Sequence, residues 1–162
     1  MPRWQEMTLV GLDTETTGLD VNEDRVFEVG LVTFEAGQEV ERFPPLLNPG
    51  RPLSPEASAK TGVRDDELAD QPRLADVVDD LLTRLEGRVV VGYNVLGFDI
   101  PILTAEMRRL DRTLPDTPII DVLVLARGLV RTGRHTLSDM VRHFGITMDA
   151  AHRATEIGRA HV

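Results

Sequence analysis

Two carboxylates one residue apart are the first place in this sequence where chemistry could happen. Asp13-Thr14-Glu15-Thr16-Thr17-Gly18 follows Met7–Leu12, an apolar run that reads as a buried strand. Side chains two apart on a strand share a face, so Asp13 and Glu15 project together. Carboxylates that close repel unless a cation sits between them. A hard divalent ion such as Mg²⁺ or Mn²⁺, which prefers oxygen ligands, suits the pair. Thr16, Thr17 and Gly18 form a turn whose backbone N–H groups could approach a phosphate or a chain end. The same string also reads as a strand ending in a solvated acidic turn.

A third carboxylate, Asp99, closes Gly92-Tyr93-Asn94-Val95-Leu96-Gly97-Phe98-Asp99. It stands at the start of a helix, where the dipole stabilises negative charge and a plain capping role is equally natural. Asn94 and Phe98 beside it suit a nucleotide, the amide bonding polar groups and the ring stacking on a base. As a turn residue and a core residue they would be ordinary. His152, in His152-Arg153-Ala154, can titrate near neutral pH and act as a general base; a histidine near a C-terminus is also commonly just a surface residue. His135 reads as a turn residue before a helix and His143 as a partly exposed helical one.

The elements that must position these groups are legible from periodicity. Val26–Phe34 reads as a second strand and Glu39–Phe43 as a third, joined by a tight turn at Ala36-Gly37. Pro44, Pro45, Pro49 and Pro52 enforce an extended connection. Ser54-Pro55-Glu56 starts a short helix, with Ser as N-cap and Pro at the first helical position, ending near Gly62. Leu74, Val77, Val78, Leu81, Leu82 and Leu85 repeat at helical spacing over Arg73–Leu85, which Gly87 closes. Val89–Val91 is a short strand, Asp99–Leu110 a helix, Ile119-Ile120 a last strand. Val122–Val130 and Leu137–Phe144 read as helices, and a final helix is expected from Ala150. Strands first, then alternation of β and α, predicts an α/β fold: a mixed five-stranded sheet with helices on both faces.

Composition bounds the chemistry further. One domain is expected from 162 residues. The absence of cysteine excludes thiolate metal sites and thiol nucleophiles. Neither a signal peptide nor an apolar run of membrane-spanning length is apparent, which sets the expectation of a cytoplasmic protein with no membrane partner. The formal net charge of −9 argues against a broad basic nucleic-acid face. Arg108, Arg109, Arg112, Arg127, Arg131 and Arg134 are the candidates for a local basic edge.

Taken together, the three motifs resemble the DEDDh 3′–5′ exonucleases, the group containing the proofreading epsilon subunit of bacterial DNA polymerase III, RNase T and oligoribonuclease. Asp13-x-Glu15-Thr16-Thr17-Gly18, Asn94-x-x-x-Phe98-Asp99 and His152-x-Ala154 match the family's motifs in order, over roughly Met7–Thr155. Pro55–Val63, Asp121–Arg127 and His135–Gly145 fit as well. The resemblance implies an RNase H-like fold and two-metal phosphodiester hydrolysis. Asp13, Glu15 and Asp99 would hold two divalent cations, Mg²⁺ or Mn²⁺, and His152 would act as general base. Thr16, Thr17, Gly18, Leu19 (as a wedge), Asn94 and Phe98 would grip the terminal nucleotide. The implied substrates are single-stranded or frayed 3′ ends, DNA before RNA, with a polymerase as a possible partner.

One position departs from the pattern. The family's third motif continues to an aspartate where this chain has Ile157, which cannot ligate a metal. Glu156 is a poor substitute, since one residue turns a helix by ~100°. Two-metal hydrolysis is therefore expected to be crippled as written, and a non-catalytic module that binds nucleic-acid ends is the alternative. Ile157–Val162 can be back-translated as ATC GGA AGA GCA CAC GTC, the start of a widely used sequencing adapter once a preceding AG is included. The expectation is an exonuclease domain over 1–155, cut inside its last helix, and a non-native tail over 156–162.

Overall fold

A computed structural model describes residues 3, 6–43, 46–131 and 133–146. The expected helix from Ala150, His152, Glu156, Ile157 and the tail 156–162 lie outside the described residues, as do Pro44 and Pro45. Strand β1 runs from Thr8 to Thr16, β2 from Val26 to Glu35 and β3 from Gln38 to Arg42. Helices α1 (Pro55–Thr61), α2 (Asp65–Leu68) and α3 (Leu74–Leu85) precede β4 (Val89–Gly92). Then come α4 (Asp99–Arg109), β5 (Ile119–Asp121), α5 (Val122–Leu129) and α6 (Leu137–Phe144). The sheet order is β3-β2-β1-β4-β5: β1 and β2 pair antiparallel, as do β2 and β3, and β4 lies parallel to both β1 and β5. This is the expected α/β architecture.

Alternation along the strands sets the two largest buried clusters on opposite faces of the sheet, with a third around Phe27, Val63 and Leu68. Val10, Leu12, Val29, Leu31 and Val90 face one side. There they meet Leu74, Val78, Leu81 and Leu85 of α3 and Ile102, Leu103 and Met107 of α4. Burying one such side chain is worth roughly 1.5–3 kcal/mol, so this layer carries much of the stability. Leu9, Val32, Phe34, Val89 and Val91 face the other side, where Val122 at the head of α5 packs on them.

Two features differ from the sequence reading. β1 does not end at Leu12 but continues through the carboxylates to Thr16, paired with β2 down to Thr16 opposite Val26, with a register shift between Glu15 and Thr16. Thr14 and Thr16 are β-branched and buried, so the strand passes through polar sequence without losing its pairing. Helix α2 is one turn, too short for periodicity to reveal. It is closed by Arg64 N–H donating to Glu67 Oε2. The other elements lie within a residue or so of expectation, down to the Ser54 cap that accepts from Ala57 N–H and the Gly145 cap in left-handed conformation. His143 lies on α6 and is exposed.

Candidate active site

Asp13 and Glu15 share the face of β1 that carries Leu9, and Glu15 stands opposite Glu28 of β2. Both flank Thr14, which faces the other way and turns out to be part of the site. β4 pairs with β1 only over Leu9–Gly11. Farther along β1, Thr14 N–H therefore meets the first residue of α4: it donates to Asp99 Oδ1 at 2.8 Å, and Thr14 Oγ1 donates to the same oxygen at 2.7 Å. Asp99 is thus not a helix cap; its carboxylate reaches across to the strand. The early end of β4 and the start of α4 bring a residue 85 positions away beside Asp13 and Glu15.

The electrostatics follow from burial. Asp99 is 4% exposed, and desolvation pushes its carboxyl up to about 6. The Thr14 hydrogen bonds oppose the rise and the charge of Glu15 adds to it. Asp13 is driven well above the usual carboxylate range, by burial first and then by the charges of Asp99 and Glu15. Its Oδ2 atom is buried with no hydrogen-bond partner among the described residues. The one influence in the other direction is Lys60, whose Nζ lies 3.0 Å from Glu15 Oε2. Among the described residues no three acidic or imidazole side chains form a ready-made metal cage. Thr14 holds one oxygen of Asp99, and Lys60 holds one of Glu15.

A groove of about 360 Å³ opens over these groups. Asp13, Glu15 and Asp99 line it together with Thr16, Gly18, Leu19, Asn94 and Phe98, so it gathers eight of the nucleotide- and metal-binding candidates. Thr17 does not line it. Its side chain is buried, Oγ1 donates to Asp24 Oδ1, and its N–H donates to Arg25 carbonyl oxygen, so Thr17 shapes the loop from behind. Asp24 also accepts from Asp20 N–H and pairs with Arg51. A Cβ on Gly18 would fall 2.4 Å from Asp24 Oδ2, so a side chain there would have to push the Asp24 carboxylate aside. Leu19 stands at its tip, 85% exposed.

The opposite wall is the 93–98 loop. Asn94 takes a left-handed backbone (φ 59°), and a Cβ on Gly97 would meet its Oδ1 at 2.4 Å. Asp121 holds this loop. Its Oδ1 accepts from Asn94 N–H, its Oδ2 from Leu96 N–H, and it also caps α5 through Leu123 N–H.

Sequence reasoning missed Thr14, Lys60 and the bracing role of Asp121. None of the six candidate arginines lines the groove itself. Arg109 is spent on the carbonyl oxygens of Asn22 and Asp24 and on Glu106, and Arg112 on Asp79. The signal for Lys60 was available: it is the single lysine among 18 basic residues.

Comparisons with known proteins bear on the family and the fold. The sequence profile of the exonuclease family matches residues 10–156. DNA polymerase III subunit epsilon of Treponema pallidum (strain Nichols) is 34% identical over 158 residues, 96% of this chain and 73% of that protein. The PolC-type DNA polymerase III of Oceanobacillus iheyensis is 35% identical over 92% of this chain, which spans only 10% of that longer protein. The structure of E. coli Exonuclease I in complex with a dT13 oligonucleotide superposes with a TM-score of 0.81 at 18% identity, covering 96% of this chain and 39% of that one.

Proposed function

This chain belongs to the exonuclease family, and we propose that it hydrolyses phosphodiester bonds at the 3′ end of DNA, releasing nucleoside 5′-monophosphates in a reaction that depends on divalent metal. The observation that carries this reading is the trio of carboxylates at the floor of the groove. Asp13 Oδ2 is buried without a hydrogen-bond partner among the described residues, and burial and mutual repulsion hold both Asp13 and Asp99 above their ordinary range. An all-oxygen set under that repulsion fits a hard divalent cation. Asp13, Glu15 and Asp99 would hold two such ions, Mg²⁺ or Mn²⁺. When bound, they supply Lewis acidity to the phosphoryl group and the leaving oxygen.

The protein's own residues do the rest. Leu19 at the exposed loop tip wedges against the terminal base, Phe98 stacks on it, and Asn94 and the backbone of Thr16 bond its polar groups. His152 accepts the proton of the attacking water. DNA as substrate, a polymerase as partner and a cytoplasmic setting draw their support from the epsilon-subunit relative.

The test is a 5′-labelled single-stranded DNA oligonucleotide incubated with the protein and with an Ile157→Asp variant. Stepwise shortening from the 3′ end in Mg²⁺ or Mn²⁺, stopped by EDTA, is expected, at least tenfold faster with the aspartate in place and slower on RNA of the same sequence. No metal-dependent shortening by either protein would overturn the assignment.

A further inference from the structure

The chain has 17 arginines and one lysine, and that lysine stands over the carboxylates. Lys60 is in the last turn of α1, a helix pinned to the site from several sides. Ser54 N–H donates to Thr17 carbonyl oxygen, Ser54 Oγ caps the helix, and Ser58 Oγ donates to Val63 carbonyl oxygen. Its backbone is therefore fixed beside the groove while its side chain is 56% exposed, against 5% for the Glu15 it meets. Among the described residues it is the one cation that lines the groove.

The residue type matters here. An arginine at this place would grip a carboxylate with two parallel hydrogen bonds and hold it. An ammonium is a compact point charge on a flexible stem, and it can let go. Once a divalent ion takes Glu15, two cations at one carboxylate repel, and the lysine is the one free to swing. The groove mouth offers it solvent, and an incoming strand offers it a phosphate.

Resting on the exonuclease reading, we propose that Lys60 is a substrate-positioning residue: its ammonium group, paired with Glu15 when no strand is bound, turns to a phosphate of the nucleic-acid strand in the groove. It neutralises one phosphate in a molecule whose net charge otherwise opposes binding.

Two measurements test this. The first is anisotropy of a labelled single-stranded DNA oligonucleotide between 50 and 200 mM salt, with Ca²⁺ present, for the wild type, Lys60→Met and Lys60→Arg. One lost phosphate contact lowers the log–log salt slope by ~0.7 on a single strand. Lys60→Met is expected to lose that amount and bind about tenfold more weakly, with KM rising more than kcat falls; Lys60→Arg keeps the slope. An unchanged slope in Lys60→Met, with a wild type that binds, would overturn the role of Lys60 alone, and a wild type that does not bind, with no cleavage by it or by Ile157→Asp, would overturn both readings. The second uses the single lysine directly. After reductive ¹³C-methylation, its methyl resonance is expected to move when dTMP is added with metal present but not when thymidine is added. Equal responses to the two would overturn the phosphate contact.

Discussion

Asp99 shows how the chemical character of one residue is set by what surrounds it. In sequence it is an aspartate at a helix start. In the fold it is buried against β1, takes two hydrogen bonds from Thr14, and has its carboxyl pushed up to about 6. The sign of the consequence is definite. A carboxyl whose folded-state pKa lies above the unfolded value near 3.9 favours folding while protonated; that contribution is full below about pH 4 and is lost as pH rises through about 6. Asp13 acts in the same direction. The metal-free protein is therefore expected to melt roughly 5 °C lower at pH 8 than at pH 5, since each kcal/mol moves Tm by about 2–4 °C in a chain of this size. Asp99→Asn should flatten the decline, and Mg²⁺ should reverse it. A thermal melt series across pH with and without Mg²⁺ checks all three; a Tm that rises with pH without metal would contradict the burial argument. Glu106 supplies the contrasting case of a buried carboxylate that is fully engaged, accepting from Arg25 Nε and Nη2 and from Val26 N–H. Its role is to bind the loop before β2 to α4.

At the scale of elements, the site depends on where strands stop. β4 is four residues long and leaves β1 at Gly11, and α4 starts within reach of the part of β1 beyond it. The loop between them is braced by one carboxylate, Asp121, which satisfies three backbone donors. Removing it strands those donors, at roughly 1–3 kcal/mol for each one left buried. Asp121→Ala is expected to lower Tm by at least about 4 °C and to raise KM for single-stranded DNA, whereas Asp121→Asn, which keeps one carbonyl acceptor, falls between. Calorimetric melts and steady-state kinetics read the two effects, and a wild-type Tm in Asp121→Ala would remove Asp121 from this role. These dependencies explain what the sequence displayed and what it did not. The α3 periodicity, the Ser54 cap and the Gly145 stop are local patterns, so they were legible. The extension of β1 past Leu12 was not, because Thr14, Glu15 and Thr16 are polar and become buried only when β2 and α4 close over them. Lys60 lies 45 residues from Glu15, and no local pattern reports such a pairing.

At the scale of the whole molecule, the charge of −9 is reconciled with a nucleic-acid substrate by restriction of contact. The groove is small, its floor is acidic until cations arrive, and the arginines named from the sequence do not line it. Such a surface holds a chain end through few phosphates. KM on single-stranded DNA is expected to rise with salt along a shallow log–log slope, no steeper than about +2, the worth of roughly three phosphate contacts. A much steeper slope would mean that a larger basic face takes part. Everything turns on whether Asp13, Glu15 and Asp99 bind metal together. Mn²⁺ titration calorimetry on the wild type and on Asp13→Ala, with circular dichroism to show that both are folded, asks that directly. We expect Mn²⁺ binding by the wild type and at least a tenfold loss of affinity in Asp13→Ala; a folded wild type that binds no Mn²⁺, or an Asp13→Ala protein that binds it equally well, would contradict the metal site.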